Sequence, residues 1–268
     1  MTTFTLRRNT PHELNELVRG APDALVALTE DHRRSLSARF RAVLSSDHRR
    51  LDAWSVEQAG RTSSSFRWSP ATARRLLGNA ALRRVARDPT CAPSESVTAE
   101  IDDQLLRCAS GYARGGSLAS WLASLGASEL ALVGAEATNW LVQVLEIAQG
   151  LEGEWRVATS DAYYDVASAR TTLRARKDLE VGVGDGRVTL RVRSGSPGKS
   201  AGPGLRSDLT IDTLANPHGV APRRFIGLWP EAGVVLSVDG TMADLRAGAR
   251  DLVRTAVVQQ RRRHQSAA

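Results

Sequence analysis

The amino-acid sequence predicts an α/β fold in which a helical N-terminal part packs on a mixed β-sheet flanked by helices. Two hairpin patterns, at residues 171–195 and 225–238, predict the sheet because apolar and polar residues alternate there around turn residues. Helical periodicity before Gly115 and after Thr241 predicts the flanking helices. We therefore expect a helical region over residues 1–115, an α/β core over 116–260 and a basic, flexible tail over 261–268.

The composition is that of a globular protein with an excess of positive charge. The chain has 268 residues, of which 42% are hydrophobic and 24% charged, so it is long enough to bury a substantial core. Its formal net charge is +7, carried almost entirely by arginine. Such a charge favours polyanions such as nucleic acid, although an arginine- and alanine-rich composition is also typical of a GC-rich genome.

The first two helical segments contain a basic cluster. Thr10-Pro11-His12-Glu13 is a capping box with proline at the first helical position, and it predicts a helix from Pro11 to about Arg19. A second helical region is expected from about Asp23 to Ala53. It repeats the string Asp-His-Arg-Arg, which contributes Arg33, Arg34, Arg49 and Arg50. With Arg39 and Arg41, these residues predict one basic helical face. Such a face is more often solvated than ligand-binding, but this one is a candidate phosphate-contacting surface.

Four further helices are expected before the sheet. Ser69-Pro70 is expected to begin a helix over residues 71–87. Shorter helices are expected at about 96–110 and 117–125, and Ser128 is expected to cap a long helix that ends near Gln149. Glu136 lies in this last helix among apolar residues with core periodicity, so it either faces water or lines a site.

The first hairpin has the most regular pattern in the chain. Leu173, Ala175, Leu179 and Val181 share one parity and alternate with charged residues, as in a strand with one buried face. Residues 182–186 contain three glycines and one aspartate and predict a turn. The alternation then resumes over residues 187–193.

This hairpin resembles the core of the PD-(D/E)XK nucleases of the RecB type, and it is most similar to RecB-like proteins of actinobacteria. In that family an acid and a lysine two residues apart project beside a magnesium ion that a preceding aspartate holds. The matching string here is Arg191-Val192-Arg193-Ser194-Gly195, with Asp178 in the position of the first aspartate and Glu136 at the acidic position before the hairpin. The resemblance covers roughly the last half of the chain and implies a PD-(D/E)XK nuclease-like core.

The residues at the matching positions predict that the magnesium site has been lost. Magnesium requires hard anionic oxygens, whereas Arg191 replaces the acid and carries a permanent positive charge with donors only. We therefore expect no metal and no cofactor, with Mg²⁺ relevant only if Glu180 or Glu136 has taken over the acidic role. Three interpretations of Arg191 and Arg193 stay open: an exposed face paired with Asp178 or Glu180, a remodelled anion-binding face, and a surviving nuclease.

The remaining chain provides further basic candidates. Residues 195–204 form a basic, Pro/Gly-rich loop with Lys199, and the helix expected after it, residues 205–215, has Asp208 and Asp212 on one face. Thr241 is expected to cap the last helix, which runs from Met242 to about Gln260. The tail that follows contains three consecutive arginines: Arg261, Arg262 and Arg263.

Other chemistries lack their motifs. Cys91 and Cys108 have neither metal-ligand spacing nor a disulfide framework. The chain contains no nucleophile elbow, no phosphate-binding Gly-Lys-Ser/Thr loop at the required spacing and no zinc-protease motif. No apolar run approaches the ~20 residues of a membrane span, and the first residues lack a signal-peptide core, so we expect a cytoplasmic protein without a membrane partner.

The predicted function is a non-catalytic module, derived from a RecB-like nuclease fold, that associates with nucleic acid or with another protein. The alternatives are an active magnesium-dependent deoxyribonuclease with relocated acids and a structural subunit that binds an acidic protein. The candidate nucleic-acid contacts, to DNA or another nucleic acid, are all basic residues: Arg33, Arg34, Arg49, Arg50, Arg191, Arg193, Lys199, Arg261, Arg262 and Arg263.

Overall fold

The computed structural model describes residues 2–5, 10–43, 49–58, 67–166 and 171–267. The described residues form a mixed α/β fold, which confirms the α/β class that the sequence predicts. The chain divides into two compact units, one of Met1–Ser63 with Glu152–Ala268 and one of Ser64–Leu151. The helical region is therefore inserted between two parts of the unit that contains the sheets, whereas the sequence had suggested a single boundary near Gly115.

The unit that contains the sheets has one large mixed sheet. Its strands are β1 (Thr2–Thr5), β3 (Trp155–Val157), β6 (Leu179–Val183), β7 (Gly186–Val192), β8 (Arg224–Trp229) and β9 (Val234–Asp239), in the order β1-β9-β8-β7-β6-β3. Strands β7 and β8 are parallel, and the other neighbours are antiparallel. The hairpins β6–β7 and β8–β9 lie where the alternation predicted them.

A second sheet corrects the prediction for the first hairpin. Strands β2 (Arg49–Asp52), β4 (Ala162–Val166) and β5 (Thr171–Ala175) form it in the order β2-β5-β4. The stretch from Thr171 to Val183 was expected to be one strand, but β5 and β6 belong to different sheets and residues 176–178 connect them. The buried apolar residues have the same parity in both strands, so alternation alone did not reveal the change of sheet.

The described residues of this unit include five α-helices: α1 (Thr10–Arg19), α2 (Glu30–Val43), α3 (Ala53–Gln58), α8 (Ala201–Ala215) and α9 (Met242–Ala267). Helix α8 joins the parallel strands β7 and β8 and is buried along most of its length. Its Leu205 and Leu209 pack with Phe225 and Trp229 of the large sheet. Its Ile211 and Leu214 belong to a second cluster with residues of β5, α2 and α9. Helix α8 therefore contributes residues to both apolar cores.

Two helix predictions in this unit are wrong. The region from Asp23 to Ala53 is not one helix, because α2 ends at Val43 and residues 49–52 form β2, which pairs in parallel with β5. Helix α9 continues to Ala267 instead of ending near Gln260, so the basic tail extends a helix. The cap of α9 is as predicted, because the Thr241 hydroxyl accepts a hydrogen bond from the Asp244 backbone at 3.1 Å.

The second unit consists of α4 (Pro70–Arg87), α5 (Pro93–Ala109), α6 (Leu118–Leu122) and α7 (Ala127–Gln149). Ser69 caps α4 as predicted, by accepting a hydrogen bond from the Thr72 backbone at 3.3 Å. Helix α7 begins two residues earlier than expected: its N-cap is Gly126 and not Ser128, and the Glu129 side chain accepts a hydrogen bond from the Gly126 backbone at 2.9 Å.

Among the described helices, α7 alone is long and apolar enough to cross a membrane by length and composition, and 33% of its most apolar window is buried in the protein.

Candidate functional site

Strand β7 presents a polar face to helix α8. Arg187, Thr189 and Arg191 lie on this face of the strand, whereas Val188, Leu190 and Val192 are buried on the other. Helix α8 supplies Asp208 and Asp212, which are one helical turn apart. Arg191 pairs with Asp208 in an inner rung, and Arg187 pairs with Asp212 in an outer rung. The two arginines are four strand residues apart, about 13 Å, whereas the two aspartates are about 6 Å apart along the helix, and the long arginine side chains span the difference. We call this arrangement the arginine–aspartate network.

The inner rung is the buried ion pair between Arg191 and Asp208. The Arg191 Nη1 donates a hydrogen bond to the Asp208 Oδ2, and the two residues are 4% and 0% exposed. Burial raises the pKa of Asp208 to about 6, although the neighbouring Arg191 and Arg193 act against this rise. Burial also opposes the charge of Arg191, but Asp208 and Glu57 outweigh it and raise the pKa of the guanidinium. Arg191 therefore stays charged, and Asp208 is the member of the pair that takes up a proton.

Arg193 continues the polar face beyond the end of β7. Its Nη2 donates to the Glu57 Oε2 of α3 at 2.5 Å, and its guanidinium lies over the Trp229 ring at 4.9 Å. Glu57 reaches this position beside Gly204, where an added Cβ would lie 2.3 Å from the Glu57 Oε1. Arg193 is 6% exposed. The exposed face expected for Arg191 and Arg193 is therefore wrong, because both guanidinium groups are enclosed by α3, α8 and Trp229.

Asp178, the position matched to a metal-binding aspartate, has a structural role in the connection between β5 and β6. Its Oδ2 accepts a hydrogen bond from the Val192 backbone at 2.7 Å, and its own backbone N–H donates to Leu190 at 2.9 Å. The residue is 4% exposed. The backbone and the carboxylate of Asp178 thus both bond to β7 directly before β6 begins. The sequence offered Asp178 or Glu180 as the partner of Arg191, whereas its hydrogen-bonded ion pair is with Asp208; the charge of Asp178 also raises the pKa of the Arg191 guanidinium.

The outer rung opens into a polar cavity of about 540 Å³. Arg187 Nη2 donates to the Asp212 Oδ2 at 2.9 Å, and Lys177 Nζ lies 2.8 Å from Glu180 Oε1 and 3.5 Å from Asp212 Oδ1. Burial opposes ionisation of Glu180, but Lys177 and Arg156 outweigh it and lower the pKa of this carboxyl. Two carboxylates here face three cations, so the cluster does not offer a divalent metal the negative charge that it needs.

Arg176 is a further cation near Arg174 and Arg191. Burial lowers the pKa of this guanidinium, and the charges of Arg174 and Arg191 lower it further. Within the described residues there is also no group of three or more histidine, cysteine, aspartate or glutamate side chains that could hold a metal ion. Glu136, the remaining matched acid, belongs to α7 in the Ser64–Leu151 unit and is half-buried.

The candidate phosphate contacts have different environments. Arg33 donates to the Asn216 backbone oxygen, and Arg34 pairs with Asp31 at 3.0 Å. Lys199 and Arg261 are exposed. The side chains of Arg49, Arg50, Arg262 and Arg263 lie outside the described residues, although β2 and α9 contain their backbones. The basic face expected from Arg33, Arg34, Arg49 and Arg50 on one helix does not form, because Arg49 and Arg50 are in a strand.

A row of exposed arginines on α9 was not recognised in the sequence. Each helical residue advances about 100°, so Arg246, Arg250, Arg254 and Arg261 fall within a sector of about 80° that extends about 22 Å along the helix. All four are exposed, and within the described part of the chain none has a carboxylate within 4.0 Å. The spacing i, i+4, i+8 is the signal that could have identified them. We call this row the α9 stripe.

No protein-family model matches the chain, and no curated protein matches it either.

Proposed function

We propose that this protein is a non-catalytic module that associates with nucleic acid and that derives from a RecB-like PD-(D/E)XK nuclease fold. The β6–β7 hairpin, with Asp178 before it and Arg191 and Arg193 at its end, supports the resemblance to that core. The arginine–aspartate network supports the loss of catalysis, because a buried guanidinium occupies the position of the matched acid.

The α9 stripe is the observation that carries the nucleic-acid assignment. Arg187, Arg191 and Arg193 form ion pairs with carboxylates inside the protein. The stripe, in contrast, presents four cations to solvent with no carboxylate partner among the described residues. Arginines in a row along one helix face are suited to the evenly spaced phosphates of a nucleic-acid backbone, and such contacts bind without reading sequence.

A nuclease is the weaker candidate on chemical grounds. Lys177, Glu180 and Asp212 are close together and open to the polar cavity, which is a grouping that a relocated metal site would use. Arg156 and Arg187 also bind these carboxylates, however, and a metal ion would have to displace charged donors from both. A cation is therefore disfavoured at this position.

A charge-reversal experiment tests the proposal. The variant Arg246→Glu/Arg250→Glu/Arg254→Glu is compared with the control Arg87→Glu/Arg107→Glu/Arg114→Glu, which changes three exposed arginines of the other unit and has the same net charge. Binding of labelled duplex and single-stranded oligonucleotides is measured by fluorescence anisotropy across a salt series. Three lost phosphate contacts should flatten the slope of log K against log salt by about 2.7 on duplex DNA.

The outcomes separate the candidates. The wild type and the control should bind with the same steep salt dependence, whereas the α9 variant should bind weakly. Equal behaviour of the two variants would overturn the proposal. Binding of polyglutamate, with no binding of any oligonucleotide, would instead establish the subunit that binds an acidic protein.

A further inference from the structure

The groove between α2 and α9 lies directly beside the α9 stripe. It has a volume of about 270 Å³. Its floor is apolar and is formed by residues of α9, of α2 and of the segment before α2: Leu28, Leu36, Met242, Leu245 and Ala249. Arg246 and Arg250 of the stripe and Arg39 of α2 surround it. A phosphate chain held by the stripe would therefore pass over an apolar recess.

We infer that this α2–α9 groove receives an unstacked base of a single-stranded nucleic acid whose phosphates contact the stripe. The inference rests on the proposed function and adds the class of nucleic acid. Single-stranded nucleic acids are bound by a cationic groove that follows the backbone together with surfaces on which the bases stack. The bases of a duplex are paired and stacked inside the helix, so a duplex could use the stripe but not the groove.

His32 and Arg39 supply flat groups at the groove. Unstacked bases stack on histidine rings and on guanidinium planes as well as on larger aromatic side chains. The His32 Nδ1 lies 2.8 Å from the Thr29 hydroxyl, and the His32 backbone N–H donates to the same hydroxyl at 3.3 Å. These two bonds hold the ring at the start of α2. Arg39 is exposed, and its guanidinium has no carboxylate within 4.0 Å among the residues that the structure describes.

The size of the groove favours a single ring system. Pockets for drug-sized molecules span about 300–1,000 Å³, and this groove lies just below that range. The charge of its rim favours an anionic ligand. An apolar floor with a cationic rim matches a nucleotide, which joins an apolar, planar base to an anionic phosphate.

The test uses two variants of the full chain that leave the stripe intact. His32→Ala removes an exposed ring without altering the core. Ala249→Leu narrows the groove, and circular dichroism establishes whether this variant folds. Affinities are measured by anisotropy for an oligothymidylate, for the same strand with abasic sites, and for a duplex of equal phosphate number.

Both variants should weaken binding of the oligothymidylate, and His32→Ala should do so by about 5-fold or more, the lower limit for loss of one stacked base. Neither variant should alter duplex binding. The wild type should bind the abasic strand more weakly than the oligothymidylate, whereas His32→Ala should bind the two strands equally.

Unchanged oligothymidylate binding in His32→Ala would overturn the inference and leave the stripe proposal standing. The stripe proposal itself fails if the wild type binds neither strand nor duplex. If an acidic peptide binds the groove in a His32-dependent manner while the oligothymidylate does not, the groove is a protein-binding site and the inference is wrong.

Discussion

Arg191 of β7 and Asp208 of α8 form an ion pair that is almost completely buried. The pair lies between the parallel strands' crossover helix and the large sheet, so it joins the two layers that enclose the core. Taking two charges out of water is expensive, and their mutual contact, together with the nearby charges of Glu57 and Arg193, compensates for it. Loss of either partner alone should therefore destabilise the core.

Removing one partner of this pair should destabilise the protein far more than removing both. Arg191→Met leaves Asp208 without its donor, and we expect the free energy of unfolding at pH 7 to fall by about 3–5 kcal/mol. The double variant Arg191→Met/Asp208→Leu removes both charges and should lose less than either single variant. Urea unfolding of the two single variants and the double variant measures the coupling.

Arg34→Ala provides the control for that cycle. The Arg34–Asp31 pair has side chains that are 70% and 88% exposed, so its loss should change the free energy of unfolding by less than about 1 kcal/mol. If the double variant lost the sum of the two single losses, Arg191 and Asp208 would be uncoupled and the buried pair would have no special role.

Asp208 should also make stability depend on pH. Its pKa is raised from 3.8 to about 6, so between these values the folded protein binds more protons at this group than the unfolded chain. The free energy of unfolding should therefore rise as the pH falls from 7 towards 4.5, by up to about 3 kcal/mol over the full shift.

The difference in stability between the wild type and Asp208→Asn isolates this contribution, because asparagine does not titrate. The free energy of unfolding of the wild type should increase relative to that of Asp208→Asn on acidification from pH 7 to pH 4.5. Glu180 acts in the opposite direction, since its pKa is lowered and its contribution is lost below about pH 4.5. A difference that stayed constant across this range would show that Asp208 does not titrate there.

Asp178 is expected to act through a hydrogen bond and not through a metal. Asp178→Ala removes the acceptor for the Val192 backbone N–H, which is buried, and should cost about 1–3 kcal/mol. Asp178→Asn retains an oxygen acceptor and should cost less. Magnesium or manganese should neither raise the melting temperature of the wild type nor support plasmid cleavage. Cleavage that Asp178→Asn abolishes would instead establish the nuclease.

Local features were predictable from the sequence because short-range chemistry determines them. Ser69 and Thr241 cap their helices as expected, and Gly184 and Asp185 form the β6–β7 turn inside the predicted range 182–186. The need of Arg191 for a carboxylate also followed from its permanent charge. The identity of that carboxylate did not, because Asp208 comes 17 residues later and reaches Arg191 only through the β7–α8–β8 crossover.

The change of sheet after β5 and the strand β2 were not predictable for a related reason. Alternation reports which side of a strand is buried, and it is the same for β5 and β6 although their partners differ. Residues 49–52 have a helical sequence context, but pairing with β5 holds them as a strand. The change of sheet and the formation of β2 both depend on residues that are distant in the chain, because tertiary pairing overrides local propensity.

Two glycines of the Ser64–Leu151 unit should respond in opposite ways to substitution by alanine. A Cβ at Gly78 of α4 would lie 2.4 Å from the Trp140 Cε3, and Trp140 is buried at 4% exposure. The indole would have to move, so Gly78→Ala should destabilise the unit by about 1–3 kcal/mol through overpacking, partly offset by better helix propensity.

Gly134 of α7 is the matched control, since a Cβ there would lie 3.4 Å from the Ile101 Cδ1, at ordinary contact distance. Gly134→Ala should stabilise the helix by about 0.5–1 kcal/mol, because alanine loses less backbone entropy on folding. Hydrogen exchange should show faster exchange of α4 and α7 amides in Gly78→Ala and slower exchange in Gly134→Ala. The amides of β7 and β8 serve as the internal reference, and faster exchange in both variants would mean that α7 also lacks room for the methyl group at Gly134.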